Sequence, residues 1–103
     1  MLAAMTPFPQ EVYKVTKCIP RGKVTTYAAI ARALKNPRAA RAVGNALHKN
    51  PFVPQVPCHR VVQRDGKVGG FARGRREKIK ILRHEGVKIS NGKVEPAFLI
   101  IKL

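Results

Sequence analysis

Acidic side chains are scarce: five Asp and Glu stand against 21 Lys and Arg in 103 residues, a formal net charge of +16. A surface hardened against heat by ion-pair networks interleaves both signs and is rich in glutamate, so the scarcity of glutamate argues against that origin of the charge. A field of one sign destabilises a compact domain by self-repulsion and is typical of chains that neutralise phosphates. No long basic amphipathic helix with bulky apolar anchors is visible, which argues against a membrane surface and leaves nucleic acid as the partner. Cysteine is sparse too. Cys18 and Cys58, taken with His48, His59 and His84, show neither Cys-x-x-Cys nor His-x-x-x-His spacing, so neither a metal site nor a cofactor is expected. The stretch Leu2-Ala3-Ala4-Met5 is too short for a signal h-region and lacks a basic n-region. The expected location is therefore cytoplasmic or nucleoid-associated, not secreted, with both thiols reduced. Repeats and low-complexity segments are missing as well.

What is present fits one domain over residues 1–103 with a modest core, and a hydrophobic content of 45% argues against disorder. Val12, Val15 and Ile19 lie near helical spacing, which predicts a first helix over residues 11–18 that Pro20-Arg21-Gly22 stops. Thr25 or Thr26 can cap a second helix over residues 27–34, with Tyr27, Ile30 and Leu34 at i, i+3 and i+7. Asn36 is expected to cap a third, with Pro37 in its first turn, that runs to about Lys49 and ends at Asn50-Pro51. Two short helices joined by a tight turn read as helix-turn-helix. On the third helix Arg38, Arg41, Ala42, Asn45 and Lys49 share one face, and Ala39, Val43, Ala46 and Leu47 the other. With Ala42 and Gly44 leaving its backbone bare, this slim basic face suits close approach to DNA, although a solvated surface helix would show the same charges.

Residues 60–68 alternate around Asp65-Gly66, a type I′ hairpin signal, and a hairpin after a helix-turn-helix is what a wing requires. Phe71-Ala72-Arg73 lies in a glycine-flanked loop. A last helix over residues 75–84 is closed by Gly86, and Asn91-Gly92 signals a second hairpin. The apolar tail, residues 97–103, reads as a docked strand or a surface for self-association. The fold class expected is α+β: a mainly helical winged helix-turn-helix domain with a small β-hairpin wing.

Pro57-Cys58-His59-Arg60, followed by Val61-Val62, places a thiol beside an imidazole in this basic chain. A free thiol, with a pKa of about 8.5, is mostly protonated at neutral pH, and a neighbouring histidine or cation can lower that value. Cys58 is therefore a candidate nucleophile. A buried cysteine that merely precedes a strand is the alternative, since free cysteine is among the most buried residue types.

With these motifs in order, the chain resembles the 6-O-alkylguanine-DNA alkyltransferase family, and in particular its C-terminal, DNA-binding and alkyl-accepting domain. The resemblance runs from about Phe8 to Ile89. It rests on Ile19-Pro20-Arg21-Gly22-Lys23-Val24-Thr25-Thr26-Tyr27, on Asn36-Pro37-Arg38-Ala39-Ala40-Arg41-Ala42-Val43-Gly44, on Asn50-Pro51, on the cysteine motif with its valines, and on His84-Glu85-Gly86. It implies a partner, double-stranded DNA containing alkylated guanine, and a single-turnover transfer of the alkyl group to Cys58. His59 would deprotonate Cys58 through a water, Glu85 would orient the imidazole, and Asn50 would brace the turn before the active-site strand. Tyr27 would crowd the target phosphate and donate a proton to the leaving guanine. Arg41 would fill the gap left by a flipped nucleotide, with Arg38, Ala42, Asn45, Thr26, Tyr27 and Arg60 as the other DNA contacts. Pro57, Val68, Phe71 and Ala72 would line the substrate pocket.

Phe71-Ala72 stands where some members carry Tyr-Ser, so a hydroxyl contact to the alkylated oxygen is missing. Members usually have an additional N-terminal domain, and a single domain without it is expected here. Related alkyltransferase-like proteins bind lesions without repairing them but typically lack the cysteine, so they are the second reading.

Overall fold

The computed structural model describes residues 8–52, 55–69 and 74–103. Phe71 and Ala72 lie outside them. Helix α1 (Phe8–Lys17) buries Val12 and Thr16, the Thr16 hydroxyl donating to the Val12 carbonyl at 2.7 Å. A turn leads to strand β1 (Thr25–Thr26), which passes directly into α2 (Tyr27–Ala33). The hydroxyl oxygen of Thr26 accepts from the Ala29 N–H at 3.0 Å and so satisfies one of the open donors at the start of α2.

Helix α2 ends in a pair of closing bonds, Lys35 N–H to the Arg32 carbonyl and Asn36 N–H to the Ala31 carbonyl, around Lys35 at φ 61°. Here the structure corrects the sequence expectation for the third helix. The Asn36 N–H is used to close α2, and its carbonyl accepts from Ala39 in a turn, so Asn36 does not cap the third helix. Helix α3 spans Ala40–His48, with Ala39 at its start and no side-chain cap, and Arg38 lies in the turn before it. Helices α1, α2 and α3 pack on one another around Val12, Ile30, Ala31, Val43, Ala46, Leu47, Val56 and Val61, the first of two apolar clusters.

A short 3-10 turn (Cys58–Arg60) then delivers strand β2 (Val61–Val62), which pairs in parallel with β1 through Thr25–Val61 and Thr26–Val62. The wing is built differently from the hairpin expected. Gly66 N–H bonds to the Gln63 carbonyl and Gln63 N–H to the Lys67 carbonyl, which closes a three-residue loop with Gly66 at φ 89°. Neither Arg64 nor Asp65 has positive φ, as a type I′ turn would need. Val61 and Val62 are both fully buried, so β2 is an interior strand beside β1 and not the arm of an exposed hairpin. The second limb instead joins a different ribbon: Val68 N–H reaches the Gly92 carbonyl and Val94 N–H the Gly66 carbonyl.

Helix α4 (Arg75–His84) ends as expected at Gly86, φ 95°, with Gly86 N–H on Arg83 and Val87 N–H on Leu82, while Leu82 and Val87 meet in the second apolar cluster. Strands β3 (Ile89–Ser90) and β4 (Lys93–Val94) form the second expected hairpin, with Asn91 and Gly92 both at positive φ. After a second 3-10 turn (Pro96–Phe98), the tail docks alongside β1: Val24 N–H bonds to Phe98, Ile100 N–H to Val24, and the Thr25 hydroxyl to the Ile100 carbonyl at 2.6 Å. Phe98 and Leu99 pack against the second cluster, while Ile101 and Leu103 remain exposed. The architecture is thus the α+β winged helix-turn-helix class, with the tail as a third strand position on the small sheet.

Removal of residues 97–103 strips β1 of these bonds and uncovers part of the second cluster. We expect the melting temperature to fall by about 4–8 °C for each kcal/mol lost, read by circular dichroism. An unchanged melting curve would show that the docked tail adds nothing to stability.

Candidate active site and nucleic-acid interface

The 3-10 turn lies between the first apolar cluster and the end of α4. Cys58 is half-buried against the first cluster, His59 is buried, and Arg60 is mostly covered. Asn50 fixes the approach to the turn: its amide donates to the Val56 carbonyl at 2.8 Å and its side-chain oxygen accepts from the Phe52 N–H at 2.8 Å. These two bonds hold the segment between α3 and the 3-10 turn. Pro57 is buried just before the thiol, and Val68 lies fully inside the second cluster.

Glu85, the residue after α4, meets the turn. His59 Nε2 stands 3.1 Å from Glu85 Oε2, while Arg60 forks the same carboxylate, Nε to Oε1 at 3.0 Å and Nη2 to Oε2 at 2.9 Å. A third guanidinium bond, Nη1 to the Ile19 carbonyl at 2.9 Å, ties in the end of α1. Burial pushes the Glu85 carboxyl upward, but the Arg60 fork and the His59 contact outweigh it and hold the group below its ordinary value. An ionised carboxylate accepts only, so Nε2 carries the proton and Nδ1 is left with a lone pair. Burial lowers His59, the Arg60 and Lys78 charges lower it further, and Glu85 opposes them with a net downward result. The imidazole is therefore neutral at physiological pH, which is the form able to accept a proton.

Tyr27 opens α2 and, like Cys58, packs against the first apolar cluster. Its ring lies against Gly44 of α3, where an added Cβ would sit 3.8 Å away, and 5.8 Å from Lys78 Nζ. Burial pushes its phenol up, and negative charge on Cys58 pushes the same way, so the hydroxyl stays a proton donor. Lys78, which sequence reasoning missed, is fully buried in the first turn of α4 and donates to the Val61 carbonyl at 2.7 Å. The available signal was its position: Lys78, Leu82 and Glu85 fall at i, i+4 and i+7 on the inner face of one helix.

Arg41, Ala42 and Asn45 are exposed on α3, and Arg38 is exposed just before it, opposite the buried Val43, Ala46 and Leu47. These four form the open basic face. Two residues expected to touch nucleic acid have internal work instead. The buried Thr26 hydroxyl caps α2, and the Arg60 guanidinium is engaged by Glu85 and Ile19. No helix among the described residues is long and apolar enough to cross a membrane.

The chain is similar to known proteins in sequence and in fold. The family model of the DNA-binding domain of 6-O-methylguanine DNA methyltransferase matches residues 7–87. A methylated-DNA–protein-cysteine methyltransferase of Shigella flexneri is 49% identical over 81 residues, covering 79% of this chain and 47% of the relative. One from Thermococcus kodakarensis is 47% identical over 85 residues, covering 82% and 47%. The chain thus spans about half the length of these relatives. Among solved structures, Mycobacterium tuberculosis OGT in complex with DNA is similar at a TM-score of 0.75 and 42% identity, covering 79% of this chain and 50% of that one. S. pombe Atl1, in complex with damaged DNA containing O6-carboxymethylguanine, is similar at a TM-score of 0.81 and 32% identity, covering 93% and 98%.

The carboxylate contact has a stability consequence with a definite sign. Because folding depresses the Glu85 pKa, its contribution is present above the ordinary value of 4.5 and is lost as pH falls through the folded value. Glu85→Gln leaves Arg60 covered without its anion, and we expect a loss of about 3 kcal/mol at neutral pH. The gap between variant and parent should close in acid, as read by urea unfolding across pH. A gap that persists undiminished at low pH would mean that packing, not charge, carries the effect.

Proposed function

Because the chain belongs to the 6-O-methylguanine DNA methyltransferase family through its DNA-binding domain, we propose that it repairs DNA by moving the alkyl group of an alkylated guanine onto its own Cys58. The observation that carries this reading is the thiol set beside a neutral, carboxylate-held histidine on a turn braced by Asn50. His59 takes the Cys58 proton through a water. The thiolate then attacks the alkyl carbon, the S–C bond forms as the C–O bond breaks, and the electron pair passes to the guanine. Tyr27, kept protonated, supplies the proton the leaving base needs.

A stacked guanine hides its exocyclic oxygen, so the nucleotide must be extruded first. Arg41, exposed on α3 beside the small, exposed Ala42, is the side chain that fills the vacated stack, while Arg38 and Asn45 hold the backbone. Affinity from such cations is salt-steep and nearly independent of sequence. A thioether offers water no leaving group, so each molecule reacts once. The reaction as read here needs no cofactor, and its partner is double-stranded DNA containing alkylated guanine, met inside the cell. A lesion-binding protein that does not transfer the group is the second reading. It draws on the similarity to Atl1, a protein seen in complex with damaged DNA containing O6-carboxymethylguanine.

Mixing the protein with duplex carrying a methylated guanine and measuring intact mass separates the two. We expect a gain of one methyl group per molecule, located on the Cys58 peptide and abolished by Cys58→Ala with DNA affinity retained. Tight lesion binding with no mass gain would refute transfer and leave the second reading.

A further inference from the structure

Lys93 faces Lys67. The ribbon of β3 and β4 takes up the outer limb of the wing as a third line of chain: Ser90 stands opposite Lys93, and Lys93 opposite Lys67. Side chains alternate between the two faces of such a ribbon. Ile89, Val94 and Val68 are buried in the second apolar cluster, while Ser90, Lys93 and Lys67 are exposed together on the other face. The ladder bonds on either side of the lysines, Val68 N–H to the Gly92 carbonyl and Val94 N–H to the Gly66 carbonyl, make them a non-hydrogen-bonded pair. That is the cross-strand position in which side chains come closest, and like charges set directly opposite there are destabilising. Arg75 brings a third cation to the neighbouring residue, its guanidinium 3.9 Å from where a Cβ on Gly92 would lie.

Asp65 offsets this in part. Its carboxylate stands 3.7 Å from Lys67 Nζ, both groups well exposed, and also accepts the Lys67 N–H at 3.0 Å. An exposed pair at that distance contributes little. A lysine on an outer strand discourages edge-to-edge pairing, which accounts for Lys67. It does not account for Lys93, whose strand is flanked on both sides. A row of one hydroxyl and two ammoniums fits the phosphate oxygens of a nucleic-acid backbone.

We propose that Ser90, Lys93 and Lys67 form a second phosphate-binding row, which grips the backbone of duplex DNA in addition to the basic face of α3. Ser90 and Lys93 lie beyond residues 7–87, the stretch that the family model matches, so the row is not part of that match. The inference rests on DNA being the partner and not on transfer to Cys58. The row carries no sequence information. It adds affinity through charge and fixes how the protein is set on the duplex.

Binding of a short unmodified duplex, followed by fluorescence anisotropy over a range of salt concentrations, tests the row. Each phosphate contact contributes about 0.9 to the slope of log affinity on log salt, so Lys67→Gln with Lys93→Gln should flatten that slope by about 2. Lys67→Arg with Lys93→Arg should keep the parent's slope. Lys80→Gln with Lys88→Gln, which removes the same charge from exposed positions elsewhere, should change it far less. A glutamine pair with the parent's slope, or a control pair that flattens it equally, overturns the proposal. A second measurement needs no variant: the parent is acetylated with acetic anhydride, with and without duplex, and each lysine peptide is read by mass. Duplex should protect Lys67 and Lys93 and leave Lys80 and Lys88 reactive, and equal modification of Lys67 and Lys93 in both states overturns the proposal too. A parent that binds no duplex overturns the DNA partner and the row together. A parent that binds through the row yet takes no methyl group from DNA refutes the transfer and leaves the row assigned.

Discussion

One carboxylate joins three segments that are remote in sequence. Glu85 stands where α4 ends, His59 and Arg60 stand on the turn before β2, and through Arg60 the same cluster reaches the carbonyl of Ile19 beyond α1. In a chain with five acidic residues and 21 basic ones, an anion at this point is not part of a general surface mixture. It offsets the burial of a guanidinium and an imidazole at once. Bonds from charged groups in partly dry surroundings are the strong class, and a two-pronged guanidinium also fixes the plane of the carboxylate. The imidazole orientation is set by that plane.

Helix α4 carries this cluster because of its period. Leu82 anchors it in the second apolar cluster, Lys78 projects four residues earlier and Glu85 three residues later, all toward the same side. The closing bonds around Gly86 end the helix directly after Glu85 and turn the chain into β3. Gly22 is held close by as well, since an added Cβ there would meet the Glu85 carbonyl at 3.2 Å. Helix α3 is attached to this centre through Tyr27, whose ring lies against Gly44 and under the Lys78 ammonium. The basic face of α3 and the thiol are thereby parts of one packed unit, as the proposed reaction on an extruded base requires.

Much of this is legible in the order of residues alone. The Asn91-Gly92 turn, the Gly86 helix end and the exposed and buried sides of α3 come from local chemistry, and the structure has each of them. The start of α3 differs from expectation because the Asn36 N–H closes the preceding helix, a competition between two helix ends that residue preferences do not rank. The wing differs because Val61-Val62 is buried on both faces, which alternation around Asp65-Gly66 does not reveal. Arg60 and Lys78 are hidden by their type. Basic side chains in so basic a chain read as contacts for phosphate or as solvated surface, and only the fold shows one paired to Glu85 and the other set in the interior.

The proposed chemistry depends on a histidine that is held by Glu85 and is thereby fit to take the proton of Cys58. Single-turnover transfer from duplex carrying methylated guanine, compared between the parent and Glu85→Gln at a temperature where both are folded, tests this most directly. The expected result is a rate lower by about a hundredfold with DNA affinity unchanged, in line with the loss of a positioned general base. A Glu85→Gln protein that transfers as fast as the parent would contradict it.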